Sequence, residues 1–438
     1  MRFRARDISA ATGGRLVGPD VEVDGVSFDS RSLRPGQLFV PIVAERDGHD
    51  FIGDAAARGA AAYLTARPPA AGVDLPCISV ADTAESFMVL AAALRRRLSC
   101  PVVGITGSVG KTSTKDLARA ALAPERRVWA NERSFNNEQG LPSTIANAPD
   151  DTEVLVLEMG MRGHGEIRRL CSVAAPTIGV VTRVAEAHSD RVGGIDGVAQ
   201  AKAELVTSLS GDGVAVLNHD DVRVRAMSHV APGRVVTFGE TPAADVVIDD
   251  VRLDDLGRPS FVVHSPWGSV PVRLAVSGRH MAHNAAAALT VAGLVGVDLA
   301  SAAGGLAEAG LTPMRMQVRR ASSGAVVLDD SYNANPTSMR AALDTLASLP
   351  ASRRIAILGV MAEISDEATE HRNVAEHARG LGIELLAVGT ELYGVAPVGD
   401  PVAALGSLSA SDAVLVKGSR VAALDRVADE LVRTATIE

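Results

Sequence analysis

Cysteine, aromatic residues and long apolar runs are all scarce in this 438-residue chain, and each scarcity closes off a class of protein. The three cysteines, Cys77, Cys100 and Cys171, stand far apart with no C-x-x-C spacing, which argues against a disulfide scaffold and a zinc ribbon. They suit a reducing compartment, as buried fillers. No window of roughly eighteen apolar residues occurs, so no membrane span is expected. The opening Met1-Arg-Phe-Arg-Ala-Arg-Asp7 has charge but no apolar stretch behind it, and the expectation is a cytoplasmic protein. Positive charge is not in excess either: 43 Lys and Arg against 52 Asp and Glu give a net charge of -9. That balance argues against a nucleic-acid partner held by bulk electrostatics and leaves room for local phosphate sites. What remains, 47% apolar with 41 glycines and 3% aromatics, is an Ala/Val/Gly-rich globular α/β composition. Its length suggests about two to four domains.

One stretch organises the rest. Val102 to Thr106 is a short, mostly β-branched run, followed by Gly107-Ser-Val-Gly-Lys-Thr-Ser113 and a helical pattern with apolar Leu117, Ala121 and Leu122. Strand, glycine-rich loop and helix make a phosphate cradle, with free N–H groups and the positive end of the helix dipole aimed at the anion. In such a loop Gly107, Ser108, Val109, Gly110 and Ser113 line the phosphates. Lys111 adds a point charge on them and Thr112 a hydroxyl for Mg²⁺. The general pattern wants a further glycine where this chain has Ile105, so the loop is a variant.

Around this stretch the chain divides into three rhythms: residues 1–98, 99–311 and 312–438. The first mixes short strands, near 26–28, 38–40, 62–64 and 78–80, with helices near 7–11, 51–58 and 84–98. The second alternates continuous apolar runs, at 154–158, 177–182, 214–217 and 235–238, with helices, as parallel strands covered on both faces do. Its stretch 245–276 alternates instead, as a small half-exposed β insertion would. The third repeats strand and helix on a smaller scale, a doubly wound unit with a last helix over 421–433.

Functional groups of parallel sheets gather beyond the carboxyl ends of the strands. Glu158 ends one strand, and Thr182 ends the next with His188 in the loop behind it. If both strands flank the phosphate-loop strand, Glu158 and His188 converge on the γ-phosphate. On the helix over 196–209, Lys202 falls inside the apolar stripe of Val198, Ala201, Leu205 and Leu209. It is then either a snorkelling edge residue or a desolvated amine able to react with CO₂ to give a carbamate. For His280 and His283 a helix surface is the favoured reading, while Asn284 is placed to read an adenine edge. Arg315 sits at the junction with the third unit, and Asp330 in the polar run Asp329-Asp-Ser-Tyr-Asn-Ala-Asn-Pro336. Ser30 and Arg31 are good phosphate donors, although a solvated turn explains Asp29-Ser-Arg as well.

Together these strings resemble the Mur ligases over essentially the whole chain. The residues that carry the resemblance are Thr106-Gly-Ser-Val-Gly-Lys-Thr112, Asn136-Asn137, Leu157-Glu-Met-Gly-Met-Arg162, Lys202, His283-Asn284, Met314-Arg315 and Asp329-Asp-Ser-Tyr-Asn-Ala-Asn-Pro336. The last string and Leu157-Glu-Met-Gly160 resemble the branch that adds D-alanyl-D-alanine. The resemblance implies an α/β chain of three domains: residues 1–98 for the uridine nucleotide, 99–311 as a P-loop ATPase and 312–438 as a Rossmann-like domain that closes over ATP. It implies ATP and about two Mg²⁺ as cofactors, with UDP-N-acetylmuramoyl-tripeptide and D-Ala-D-Ala as substrates of a monomeric cytoplasmic enzyme. It places Lys111 on the phosphates, Thr112 and Glu158 on one Mg²⁺, and His188 with a carbamylated Lys202 at a second. Asn284 goes to adenine, Arg315 and Asp330 to the phosphate and ribose side, and Ser30, Arg31, Asn136, Asn137 and Arg162 to the UDP-sugar substrate. Gly359-Val-Met-Ala-Glu-Ile-Ser365 departs from the family run at Val360 and Ser365, and the loop 183–188 is less typical. The alternatives are another amino acid ligase of the superfamily, such as a folylpolyglutamate-synthetase-like enzyme, or a P-loop nucleotide-binding module that does not ligate.

Overall fold

A computed structural model describes residues 1–132, 135–186 and 192–433. At its centre lies a nine-stranded sheet. From one edge it runs Val128–Ala130, Val154–Glu158, Val102–Thr106, Ile178–Val181, Val214–Asn218, Arg234–Gly239, Val246–Leu253, Pro259–Ser265 and Gly268–Arg273. The first seven pair in parallel and the last two antiparallel. The phosphate-loop strand is thus flanked by the strand that ends in Glu158 and the strand that leads to Thr182, the arrangement on which convergence depends.

The continuous apolar runs are explained by cover on both faces. Val103, Ile105, Val154, Val156 and Val180 point to helices Lys111–Leu122, Met281–Val295 and Leu299–Ala307. Val102, Leu155, Leu157 and Val181 point to helices Thr83–Arg95, Gly140–Ala146, Glu166–Ala174 and Gly194–Thr207. Adjacent residues of one strand therefore bury into opposite cores, as the pleat requires.

The stretch 245–276 forms the half-exposed antiparallel strands expected of it, and these continue the main sheet. Phe238 and Gly239 pair in parallel with Val246 and Val247. Asp245 ties the junction by accepting the Thr237 N–H and hydroxyl, both at 2.8 Å. The strand Arg234–Gly239 would otherwise leave an unpaired apolar edge.

Before the central sheet come a two-stranded antiparallel sheet, Arg2–Arg4 with Glu22–Asp24, and a five-stranded sheet ordered Arg15–Val17, Cys77–Ser79, Ala62–Thr65, Leu38–Phe39, Val26–Ser27. After it comes a second five-stranded sheet, ordered Gln317–Arg320, Val326–Asp330, Asp412–Lys417, Arg353–Leu358, Glu384–Ala387. All its strands but the first run in parallel. The last helix starts at Asp425 rather than 421, because Ala423 adopts a left-handed φ of 50° after a 3-10 turn. Apolar side chains of the first 98 residues share one core with the central sheet, and Met316, Leu328 and Leu343 share another with it. Among the described residues no helix is long and apolar enough to cross a membrane.

Candidate active site

The phosphate loop is shaped by two glycines and by the neighbouring strand end. A Cβ on Gly107 would stand 1.9 Å from Thr182 Oγ1. One on Gly110, whose φ is 84°, would stand 2.6 Å from Asn284 Oδ1. The loop is tied down where it passes the 182–185 segment: Thr182 Oγ1 donates to Val109 O at 2.6 Å and Ser108 N to Arg183 O at 2.7 Å. The Ser108 hydroxyl donates to Ala185 O and accepts Ala185 N–H, so it serves the scaffold. Lys111 folds its ammonium onto Gly107 O at 2.7 Å, across the loop. Burial pulls its pKa down; Glu158 opposes this and Arg315 adds to it. Thr112 and Ser113 are buried in the first turn of the helix.

Glu158 is 1% exposed, which for an ionised group demands partners. Its backbone N–H goes to Asn131 Oδ1 at 2.6 Å, and Oε1 accepts the Asn136 amide at 2.6 Å. Oε2 is buried with no partner among the described residues. An orphaned carboxylate oxygen in the cleft that the Thr112 hydroxyl also lines suits a hard cation that completes its shell with phosphate and water.

Lys202 reaches the same cleft from the helix Gly194–Thr207, which lies so close to the sheet that a Cβ on Gly104 would be 2.9 Å from Leu205 Cδ1. The lysine is 3% exposed. Burial first, and the Lys111 charge second, hold its amine well below the ordinary lysine range. Two residues on, Glu204 accepts the N–H groups of Gly165 at 2.7 Å and Arg168 at 3.0 Å, capping the neighbouring helix. His188 lies outside the described residues.

The third sheet closes the other side of a cleft of about 670 Å³. Arg315 lies 4.1 Å over the Tyr332 ring, and its Nη2 donates to Thr112 Oγ1 at 3.2 Å. Its neighbours Met314 and Met316 both hold left-handed φ angles, 63° and 48°. Asp330 accepts Met316 N–H at 3.1 Å on one oxygen and the buried Lys417 ammonium on the other. Lys417 Nζ also donates to Asn333 O at 2.8 Å. Asp329 faces away, taking the Ser331 hydroxyl at 2.6 Å, and the cap before Pro336 is Asn335.

Asn284 lines the cleft, as do His280 and His283, which the helix pattern placed on a surface. His283 Nε2 lies 2.9 Å from Asp220 Oδ2. Burial pushes His280 down to about 4; Asp330 opposes the shift and Lys417 deepens it.

On the substrate side Asn136, Asn137 and Arg162 line the cleft. Asn137 Oδ1 accepts Gly140 N–H at 2.9 Å and so also caps the helix Gly140–Ala146. Ser30 and Arg31 stand outside the lining. Arg31 is paired in a two-pronged contact with Asp29, at 2.9 and 2.7 Å, as the solvated-turn reading expects. That turn still leads to the cleft, because Phe28 packs edge-on against Phe135, centroids 6.1 Å apart.

Residues 105–292 match the model of the Mur ligase middle domain, and 314–391 that of the Mur ligase glutamate ligase domain. The UDP-N-acetylmuramoyl-tripeptide--D-alanyl-D-alanine ligase of Mycobacterium tuberculosis is 39% identical over 94% of this chain and 92% of its own. The chain belongs to the Mur ligase family. Two solved structures agree in shape over nearly full length. MurF from Acinetobacter baumannii has a TM-score of 0.89 at 26% identity, covering 99% of both chains. MurF from Thermotoga maritima, in complex with ADP, has a TM-score of 0.83 at 27% identity, covering 94% of this chain and 97% of its own.

Several residues in or behind this Mur ligase cleft were not singled out from sequence: Asn218, Asp220, Tyr332 and Lys417 in its lining, and Asn131 behind Glu158. Asn218 and Lys417 end parallel strands, so the carboxyl-end rule that picked Glu158 would have found them. Asn131 and Tyr332 follow strand ends and answer to the same rule. Ile105, in place of a loop glycine, is a fully buried strand residue; the cradle opens two residues later at Gly107.

Proposed function

We infer that the chain is an ATP-dependent ligase that joins D-alanyl-D-alanine to UDP-N-acetylmuramoyl-tripeptide in peptidoglycan precursor synthesis. The observation that carries this is full-length similarity to ligases of that name, with a phosphate loop, an orphaned carboxylate and an interdomain arginine on one cleft. ATP phosphorylates the terminal carboxylate of the tripeptide, releasing ADP. The free amine of the dipeptide attacks the acyl phosphate, and the tetrahedral intermediate expels inorganic phosphate as the amide forms.

The residues divide the work as follows. Gly107, Ser108, Val109, Gly110 and Ser113 shape the loop around the phosphates, Lys111 leaves Gly107 O to meet them, and Asn284 reads adenine. Arg315 and Asp330 bring phosphate and ribose contacts from the third sheet as the cleft closes and water leaves. Mg²⁺, when bound, neutralises phosphate charge; Thr112 and Glu158 would hold one ion, and His188 with Lys202 as its carbamate a second. Lys202 suits that modification because burial favours its neutral, nucleophilic amine, and reaction with CO₂ releases one proton. Asn136 aims Glu158; together with Asn137, Arg162, Ser30 and Arg31 it faces the UDP-sugar substrate. We assign residues 1–98 to the uridine nucleotide, 99–311 to ATP and 312–438 to the acceptor, in a monomer working in the cytoplasm.

Phosphate release from ATP and Mg²⁺ tests this. It should need both UDP-MurNAc-tripeptide and D-Ala-D-Ala, with the pentapeptide seen by mass spectrometry. Release that ignores D-Ala-D-Ala and follows another amine would overturn the assignment.

A further inference from the structure

Where the strand Arg353–Leu358 runs out, residues 359–362 are gripped through five backbone groups. Gly359 N donates to Lys417 O at 2.9 Å, and Gly359 O accepts the Tyr393 hydroxyl at 2.8 Å. Val360 O accepts Ser419 N–H at 2.9 Å, and Ala362 N donates to Ser419 Oγ at 2.9 Å. Met361 N donates to His371 Nε2 at 2.9 Å. Glu363, next in line, holds a left-handed φ of 63°, a conformation that persists only where its surroundings over-determine it.

His371 is the least expected of these anchors, because its residue is 0% exposed in the middle of the helix Glu367–Gly380. Its other ring nitrogen, Nδ1, lies 2.6 Å from Glu367 O, one turn back. A backbone carbonyl only accepts and a backbone N–H only donates, so Nδ1 carries the proton and Nε2 is bare. The ring is neutral, in one tautomer, and wedged edge-on against Tyr393 with centroids 4.8 Å apart. Burial favours that neutral form, against the opposing charges of Glu367 and Glu370.

The gripped segment lies directly behind the cleft. Ser419 Oγ, which holds Ala362, also reaches Ala334 O at 3.5 Å. Lys417, whose carbonyl holds Gly359, sends its ammonium to Asp330 and Asn333. We propose that His371 is a positioning residue for the acceptor amine: by fixing Met361 it holds the 359–362 segment that backs the Asn333, Ala334 and Lys417 wall against which the incoming dipeptide lies. This rests on the reading of residues 312–438 as the acceptor side. The ring acts through Met361 and not on the reacting atoms.

Two uncharged substitutions separate the roles of the two ring nitrogens. His371→Gln puts an acceptor oxygen close to where Nε2 stands and keeps the Met361 contact. His371→Asn keeps only a donor for Glu367 O. Expected for H371N is a KM for D-Ala-D-Ala raised about tenfold, the loss of one buried hydrogen bond, with the KM for ATP unchanged. H371Q should keep the wild-type acceptor KM. Equal acceptor KM values in the two variants, or a rise shared with ATP, would overturn the proposal. If neither variant folds, the ¹⁵N shifts of the wild-type ring decide: a protonated Nε2 overturns it and a protonated Nδ1 sustains it. A wild-type enzyme that ligates a different amine would instead overturn the function on which the proposal stands.

Discussion

Asn136 donates its amide to one oxygen of Glu158 at 2.6 Å, and the other oxygen of that carboxylate is buried without a partner among the described residues. An arrangement that aims a carboxylate and leaves one lone-pair face free is costly unless a cation arrives there. Glu158→Gln keeps the shape and the Asn136 contact possible while removing the charge. It should lower kcat by about 100-fold, roughly 3 kcal/mol of lost charge stabilisation, and weaken Mg²⁺ dependence. Phosphate-release kinetics over a Mg²⁺ titration check this, and an unchanged Mg²⁺ response would remove Glu158 from the metal site.

Lys202 should show opposite signs in stability and activity. Its amine is buried and held well below the ordinary lysine range, so Lys202→Met should raise the melting temperature of the ligand-free protein. The linkage has the same sign: below the ordinary lysine pKa the unfolded chain binds a proton that the fold resists, so the wild type loses stability as pH falls from about 10. The same variant should lose most ligase activity. Lys202→Ala should recover part of it when acetate or formate is added in place of the carbamate, and calorimetry with a rescue titration reads both effects.

Lys417 and Asp330 form a buried pair that also pins Met316, beside Arg315. Removing the ammonium alone, in Lys417→Met, strands a buried carboxylate and should cost about 3 kcal/mol in urea unfolding. The double variant with Asp330→Asn should regain much of that stability while kcat stays low, because the charged pair beside Arg315 is then gone from the cleft. Additive stability losses would show that the pair does not act as a unit.

His280 gives a pH dependence. It is held down at about 4, and Asp330, Lys417, His283 and Arg183 are the charged or titratable groups that act on it. The folded protein keeps it neutral where the unfolded chain protonates it, so its contribution is complete above about pH 6.5 and is lost as pH falls toward 4. His280→Asn should flatten the fall in melting temperature between pH 6.5 and 4.5, a difference measurable by thermal scans of the two proteins.

The sequence carried much of this site and left out parts for physical reasons. The cradle, Glu158, Lys202 and Arg315 were legible because each combines a residue type with a placement: a strand end, a helix face or a unit boundary. The pairing of Arg31 with Asp29 was legible only as an alternative, since a solvated turn and a phosphate donor have the same composition. Ser108 belonged to a motif, yet its hydroxyl is spent on Ala185, which no motif shows. The 245–276 strands alternate like an independent hairpin; their attachment to the main sheet depends on Phe238 meeting Val246 edge to edge, a long-range event with no local signature. Lys417 lies far along the chain from its partner Asp330, and His371 reads in sequence as one more residue of a polar helix.

The helix Gly194–Thr207 carries two tasks on one turn: Lys202 enters the cleft, and Glu204 caps the helix Glu166–Ala174 through Gly165 and Arg168. Inserting or deleting one residue before this turn rotates both side chains by about 100°, uncapping one helix as it withdraws the amine. An insertion scan across this helix should therefore find a sharp gap in tolerance at Ala201 to Glu204.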